Sequence, residues 1–250
     1  MEYALLAVWC FAVALAGGLV GLVLGNIRLP AVLLLASSPG SGTGANIGIS
    51  AVAAATASIA HVRAGRVNWR LFRWMAPPSI VGALMGGYLS GVLPGDVLLF
   101  AIAAVLLYSA IELLRKPLPK ARPAGHDGGG LDIPAAVATG FVIGILGGIV
   151  GLILGSLRMP ALVKIVGEVP ARAVGTNVTI GFLVGVAGVI GHLPSEPPDW
   201  GVLAVGAGAS IPGALLGSRL TGRLSDEALL KAIGYILLVA AAAMVADALT

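Results

Sequence analysis

Apolar residues run along this chain in long unbroken stretches, interrupted by glycine far more often than by charge. After the opening MEYALLAVWCFAVALAGG, such stretches cover about Pro30 to Ser37, Asn46 to Ala60, Leu71 to Leu93 and Val97 to Leu114. The pattern restarts with Ile133 to Gly155, Pro160 to Val166, Thr176 to Ile190, Val202 to Leu220 and Ala228 to Ala248. The longer stretches approach the ~20 residues that cross a bilayer as a helix. Between the two series lies a single linker rich in proline, glycine and charge, Arg115 to Leu131 (RKPLPKARPAGHDGGGL). The expected organisation is a first membrane repeat over 1–114, a linker over 115–131 and a second membrane repeat over 132–250. No basic residue precedes the first apolar run, so it reads as a membrane segment rather than a cleavable signal peptide.

Overlaying the two series reveals a duplication. Gly17, Gly21, Gly25, Arg28 and Pro30 recur 130 positions later as Gly147, Gly151, Gly155, Arg158 and Pro160. One inserted residue changes the offset to 131, after which Gly44, Asn46, His61, Trp69, Gly82, Gly86 and Gly91 match Gly175, Asn177, His192, Trp200, Gly213, Gly217 and Gly222.

Loop charges orient the repeats. The loop holding Arg63, Arg66, Arg70 and Arg73, and the linker with Arg115, Lys116, Lys120 and Arg122, are expected to be cytoplasmic, because positive residues stay inside. The second-half counterpart of the arginine-rich loop, His192 to Trp200 (HLPSEPPDW), has no Lys or Arg, while the next turn carries Arg219 and Arg223. The repeats therefore read as antiparallel, as in many secondary transporters. Inversion demands an odd number of crossings per half. Each leading region must then be broken, either as a hairpin split at Gly17-Gly18 and Gly147-Gly148 or as a span with a short return after Pro30 and Pro160. The expected fold is an all-α polytopic membrane protein of two inverted-topology repeats with broken or re-entrant leading helices, in a bacterial-type inner membrane.

Composition agrees: 58% of residues are hydrophobic and 10% charged. The small excess of 15 Lys+Arg over 11 Asp+Glu is gathered in loops and signals topology, not nucleic-acid binding. A single cysteine, Cys10, excludes an internal disulfide and a cysteine-based metal site. No cofactor or metal is called for, and whether copies associate as a homo-oligomer is left open.

The candidate chemistry lies in the repeated GGLVGLVLGNIRLPA and GGIVGLILGSLRMPA. An arginine in an apolar segment costs about 3 kcal/mol on insertion scales and cannot shed its charge. Arg28 and Arg158, each between a glycine break and a proline read as starting a helix, are the leading candidates for binding a small anion. Gly25, Asn26, Gly155 and Ser156 belong to the same segments. Asn46 with Thr43, and Asn177 with Thr176, fall where the next spans are expected to begin, near Ile47 and Val178. Free amides at helix starts attract anions, while capping by asparagine is an equal alternative. His61 and His192 read as interfacial or capping residues, Trp69 and Trp200 as interfacial anchors, and Gly82, Gly86, Gly213 and Gly217 as helix-packing glycines.

These features together resemble the sulfite exporter TauE/SafE family of membrane transporters. The resemblance rests on the two-fold repeat, GLVLGNIRLPA and GLILGSLRMPA, the Gly-Thr-Asn of Gly175 to Asn177 and the Gly-x-x-x-Gly spans. It implies transport of sulfite, a sulfonate or a related sulfur-containing or carboxylate anion, with the bilayer and that anion as partners. Arginines stand here where the family usually has further glycines ahead of the proline. An anion channel would need the same residues, whereas an intramembrane enzyme would need paired carboxylates or a nucleophile and base that the sequence lacks.

Overall fold

The computed structural model describes residues 1–88, 132–150, 152–193 and 197–248, with helical positions at 100, 103–104, 106–108, 110–111 and 114–115. The expected span Val97 to Leu114 and the linker beyond Arg115 fall largely outside the described residues, as does the His192 side chain. In chain order the helices are α1 (Glu2–Val20), α2 (Gly25–Leu33), α3 (Pro39–Arg63), α4 (Trp69–Tyr88), α5 (Ile133–Val150), α6 (Gly155–Pro160), α7 (Pro170–His192), α8 (Trp200–Thr221) and α9 (Asp226–Ala248). Among the described residues there is no strand, and five helices are long and apolar enough to cross a membrane: α1, α3, α7, α8 and α9. The chain is an all-α, multi-pass membrane protein.

The leading helices break where neither sequence-based option put the break. α1 continues through Gly17-Gly18 to Val20 and stops at Gly21, whose φ of 68° is left-handed and suits only glycine. The Leu22 amide donates to the Gly17 carbonyl at 3.0 Å, closing the end. After three residues outside any helix α2 begins at Gly25, so Pro30 lies inside a helix and does not start one. In the second half Leu152 donates to Gly147 at 2.9 Å and α6 begins at Gly155, with Pro160 as its last residue. α2, at nine residues, spans about 14 Å and cannot cross a bilayer.

The residue inserted in the second half has a structural home. α6 runs on as π-helix over Ala161–Val166, closed by Gly167 at φ 82°, whereas α2 is α-helical throughout. A π turn absorbs one extra residue. From there the halves are back in step, the N-caps Ser38 and Val169 each preceding a proline.

Packing follows the duplication with the halves exchanged. α1 packs on α8 and α5 on α4, while α3 and α7 pack on each other at the centre. A Cβ at Gly82 would strike the Phe141 carbonyl and meet the Ile145 amide; one at Gly213 would strike the Phe11 carbonyl and meet the Leu15 amide. Phe11 and Leu15 are the repeat counterparts of Phe141 and Ile145. Gly86 and Gly217 repeat the relation against Ile145 and Leu15 one turn on. Backbone-to-backbone contact of this kind requires small residues. Trp69 and Trp200 are the first residues of α4 and α8 and are exposed, as anchors at a span boundary should be.

Candidate functional site

Asn46 and Asn177 are not at helix starts. α3 begins at Pro39 and α7 at Pro170, so both asparagines lie two turns inside, and the expected attraction of an anion to free amides there does not apply. What the positions do provide is a polar side chain facing the broken helices. Asn46 Nδ2 donates to the Gly25 carbonyl at 3.0 Å and Asn177 Nδ2 to the Gly155 carbonyl at 2.9 Å. Each short helix thus starts on an asparagine from the following span. Asn177 Nδ2 also donates to the Gly21 carbonyl at 2.6 Å, which joins the two breaks directly.

Both arginines are buried, Arg28 at 2% and Arg158 at 1% exposure, and both meet these asparagines. Arg28 Nε donates to Asn46 Oδ1 at 2.9 Å, and its Nη2 donates to the Asn46 carbonyl at 3.0 Å and to Ser50 Oγ. Arg158 Nη1 donates to Asn177 Oδ1 at 3.3 Å. No carboxylate contacts either guanidinium among the described residues. Two uncompensated cations held by neutral amides inside an apolar bundle are an unusual arrangement, because buried charge is normally paired.

The remaining sequence candidates divide. Gly25 and Gly155 belong to the site through their carbonyls, which accept from Asn46 and Asn177, and a Cβ at Gly25 would meet Ser50 Oγ at 3.0 Å and Asn46 Nδ2 at 3.2 Å. Asn26 turns away and donates to the Ala240 carbonyl of α9 at 3.2 Å. Thr176 Oγ1 accepts from the Asn68 amide at 2.9 Å, an anchor for the loop before α4. Ser156 is buried beside Gly155, and Thr43 lies half-buried one turn before Asn46.

Several polar residues have roles that the sequence reading did not give them. Ser50 sits four residues after Asn46 on one face of α3, a spacing that could have revealed it. His61 is fully buried, bonded through Nε2 to the Gly18 carbonyl and through Nδ1 to Arg66 Nη1, each at 3.3 Å, so it is no interfacial residue. Arg66 also donates to the Ser218 carbonyl at 2.9 Å, and burial holds its pKa below the usual arginine value. Glu168 is buried against Asn68 Nδ2 and the Val169 amide, with Arg172 Nε at 3.9 Å. The repeat exchanges this contact too: Asn68 caps α4 through Leu71 and meets Glu168, and its counterpart Asp199 caps α8 through Val202 and accepts from the Ser37 amide at 3.2 Å.

Comparison with known proteins decides the family. The description of the sulfite exporter TauE/SafE family matches residues 6–244. The chain belongs to the TauE/SafE family. Similar proteins include the probable membrane transporter YunE of Bacillus subtilis (strain 168), 25% identical over 95% of this chain and 93% of its own length. The probable membrane transporter y4hK of Sinorhizobium fredii (strain NBRC 101917 / NGR234) is 30% identical over 86% of this chain and 87% of its own. The probable membrane transporter YjnA of Bacillus subtilis is 26% identical over 89% and 93%. No solved structure matches the chain. It is a membrane transporter of the TauE/SafE family.

Proposed function

We propose that the chain is a secondary transporter for a small anion, sulfite, a sulfonate or a related sulfur-containing or carboxylate anion, working by alternating access between two inverted repeats. The observation that carries this reading is the pair of buried arginines, each fixed on an asparagine at a break in a leading helix and none facing a carboxylate. Desolvated positive charge attracts an anion far more strongly than the same charge in water. Guanidinium groups also offer directed donors matched to oxyanions. Broken helices near the interface of two repeats are where secondary transporters place their substrates. The exchanged packing of α1 on α8 and α5 on α4 supplies two similar bodies that can rock about the α3–α7 contact.

An anion channel of the same architecture is the competing reading, and counterflow separates the two. Proteoliposomes loaded with unlabelled sulfite should accumulate external radiolabelled sulfite faster than empty ones. A conductance linear in voltage, with no stimulation by internal anion, would replace the carrier with a pore.

A further inference from the structure

Arg28 and Arg158 stand at equivalent positions yet are held very differently. Arg28 is fastened by three hydrogen bonds, from Nε and Nη2 to Asn46 Oδ1, the Asn46 carbonyl and Ser50 Oγ. Among the described residues Arg158 makes one bond, at 3.3 Å, to Asn177, and its Nε is buried with no hydrogen-bond partner. The cause is legible in the repeat. In the first half Nε is met by Asn46 Oδ1, whereas Asn177 Oδ1 accepts from Arg158 Nη1 and leaves Nε unmet. Ser50, which takes Nη2 of Arg28, has Gly181 as its counterpart, with no hydroxyl to offer and with Val23 Cγ2 only 2.8 Å from where a Cβ would stand. A buried donor left unmet is costly, and more so when it is charged. Among the described residues only one other buried side-chain atom shares that condition, the neutral hydroxyl of Ser210.

Resting on the transporter reading above, we infer that the two arginines have separate tasks: Arg158 takes an oxygen of the transported oxyanion at its unmet Nε, and Arg28 is a positioning residue that braces the first break. The cavity against Arg28 does not compete for this role. It measures about 20 Å³, room for about one water, and Arg28 and Ser50, already bonded to each other, are its only polar-side-chain walls. The second half has been loosened where the first is locked, by the serine-to-glycine difference and by the π turn that follows Arg158.

The test uses the purified full-length protein in detergent with sodium sulfite, sodium methanesulfonate and sodium acetate as probes and chloride as comparator, reading both affinity and the melting temperature without anion. Arg158→Lys should raise the Kd for the best oxyanion at least tenfold with little change in melting temperature. Arg28→Lys should lower the melting temperature, with a Kd increase at least fivefold smaller than that of Arg158→Lys. Gly181→Ala and Gly181→Ser both press on Val23, so their difference isolates the hydroxyl: the serine variant should bind at least fivefold more weakly than the alanine variant, because its hydroxyl gives the Arg158 guanidinium the internal partner that Ser50 gives Arg28. Equal Kd effects of the two lysine variants, or equal binding by the two Gly181 variants, would overturn the division of tasks while leaving the transporter reading intact. Absence of oxyanion binding and of counterflow in the unaltered protein would overturn both.

Discussion

Asn177 of the second repeat donates to the carbonyl of Gly21 in the first, Nδ2 to O, at 2.6 Å. The same amide group holds Gly155, and the side-chain oxygen receives Arg158, so one residue ties three strained or charged places together. Asn46 performs only the intra-repeat part, for Gly25 and Arg28. Asn177→Ala should therefore destabilise more than Asn46→Ala, stranding two buried carbonyls at about 1–3 kcal/mol each instead of one. Thermal unfolding in detergent measures it; a larger loss for Asn46→Ala would mean that the breaks are not held together through Asn177.

The exchanged glycine contacts predict matched effects at distant positions. Gly82→Ala and Gly213→Ala push on equivalent carbonyls, Phe141 and Phe11, and should lower the melting temperature by similar amounts. Gly208 lies in α8 with nothing within 4 Å of its would-be Cβ. Gly208→Ala should be neutral or stabilising by up to about 1 kcal/mol, since alanine is the better helix former. A drop at Gly208 as large as at Gly213 would show that chain stiffness, not close approach, governs these sites.

Membrane orientation is checked by labelling introduced cysteines in intact cells. Cys10 is completely buried, and a Cys10→Ser background removes it from the assay. Cysteines at Ser195 and Gly95 should react with an impermeant reagent from outside, and one at Gly128 only after permeabilisation. Reaction of Gly128 and Ser195 positions from the same side would contradict antiparallel repeats.

Asp199 links the start of α8 to pH. Its carboxylate lies below the ordinary value of 3.8, chiefly because it accepts from the Val202 amide. A depressed folded-state pKa gives stability that is present above the unfolded value and fades as pH falls through the folded one. At neutral pH Asp199→Ala should cost about 1 kcal/mol, and the gap to the unaltered protein should close as the pH is lowered below 3.8. Asp199→Asn keeps a capping oxygen without the titration. Its melting temperature should therefore depend less on acid than that of the unaltered protein.

Much of this was readable from residue types alone. The duplication and the packing glycines follow from repeated positions, because equivalent residues in two copies meet equivalent neighbours; the bond from each arginine to the asparagine of its own half was not read from them. Helix boundaries were less legible. The helix starts at Pro39 and Pro170 lay within polar runs, PGSGTGAN and PARAVGTN, which look like loops until the tertiary contacts of Asn46 and Asn177 are known. The breaks were hidden for a related reason: of Gly17, Gly18, Gly21 and Gly25 only Gly21 adopts the left-handed conformation, and sequence does not single it out. Burial of His61 depends on Gly18 and Arg66 closing over it, a relation between segments that no local pattern records.

The exchange of partners between the halves also dictates an order of biosynthesis. α1 and α4 each keep a closely packed face whose mate lies in the other half, α8 for the first and α5 for the second. When the ribosome has released only the first half, both faces are still uncovered within the lipid. The α4 face closes once α5 has emerged, but the α1 face waits for α8, some two hundred residues after α1 was made. On the proposed inverted topology, a half made alone has the same two unmatched faces and would satisfy them with a second copy of itself inserted the opposite way up, the arrangement from which a gene fusion would yield this chain.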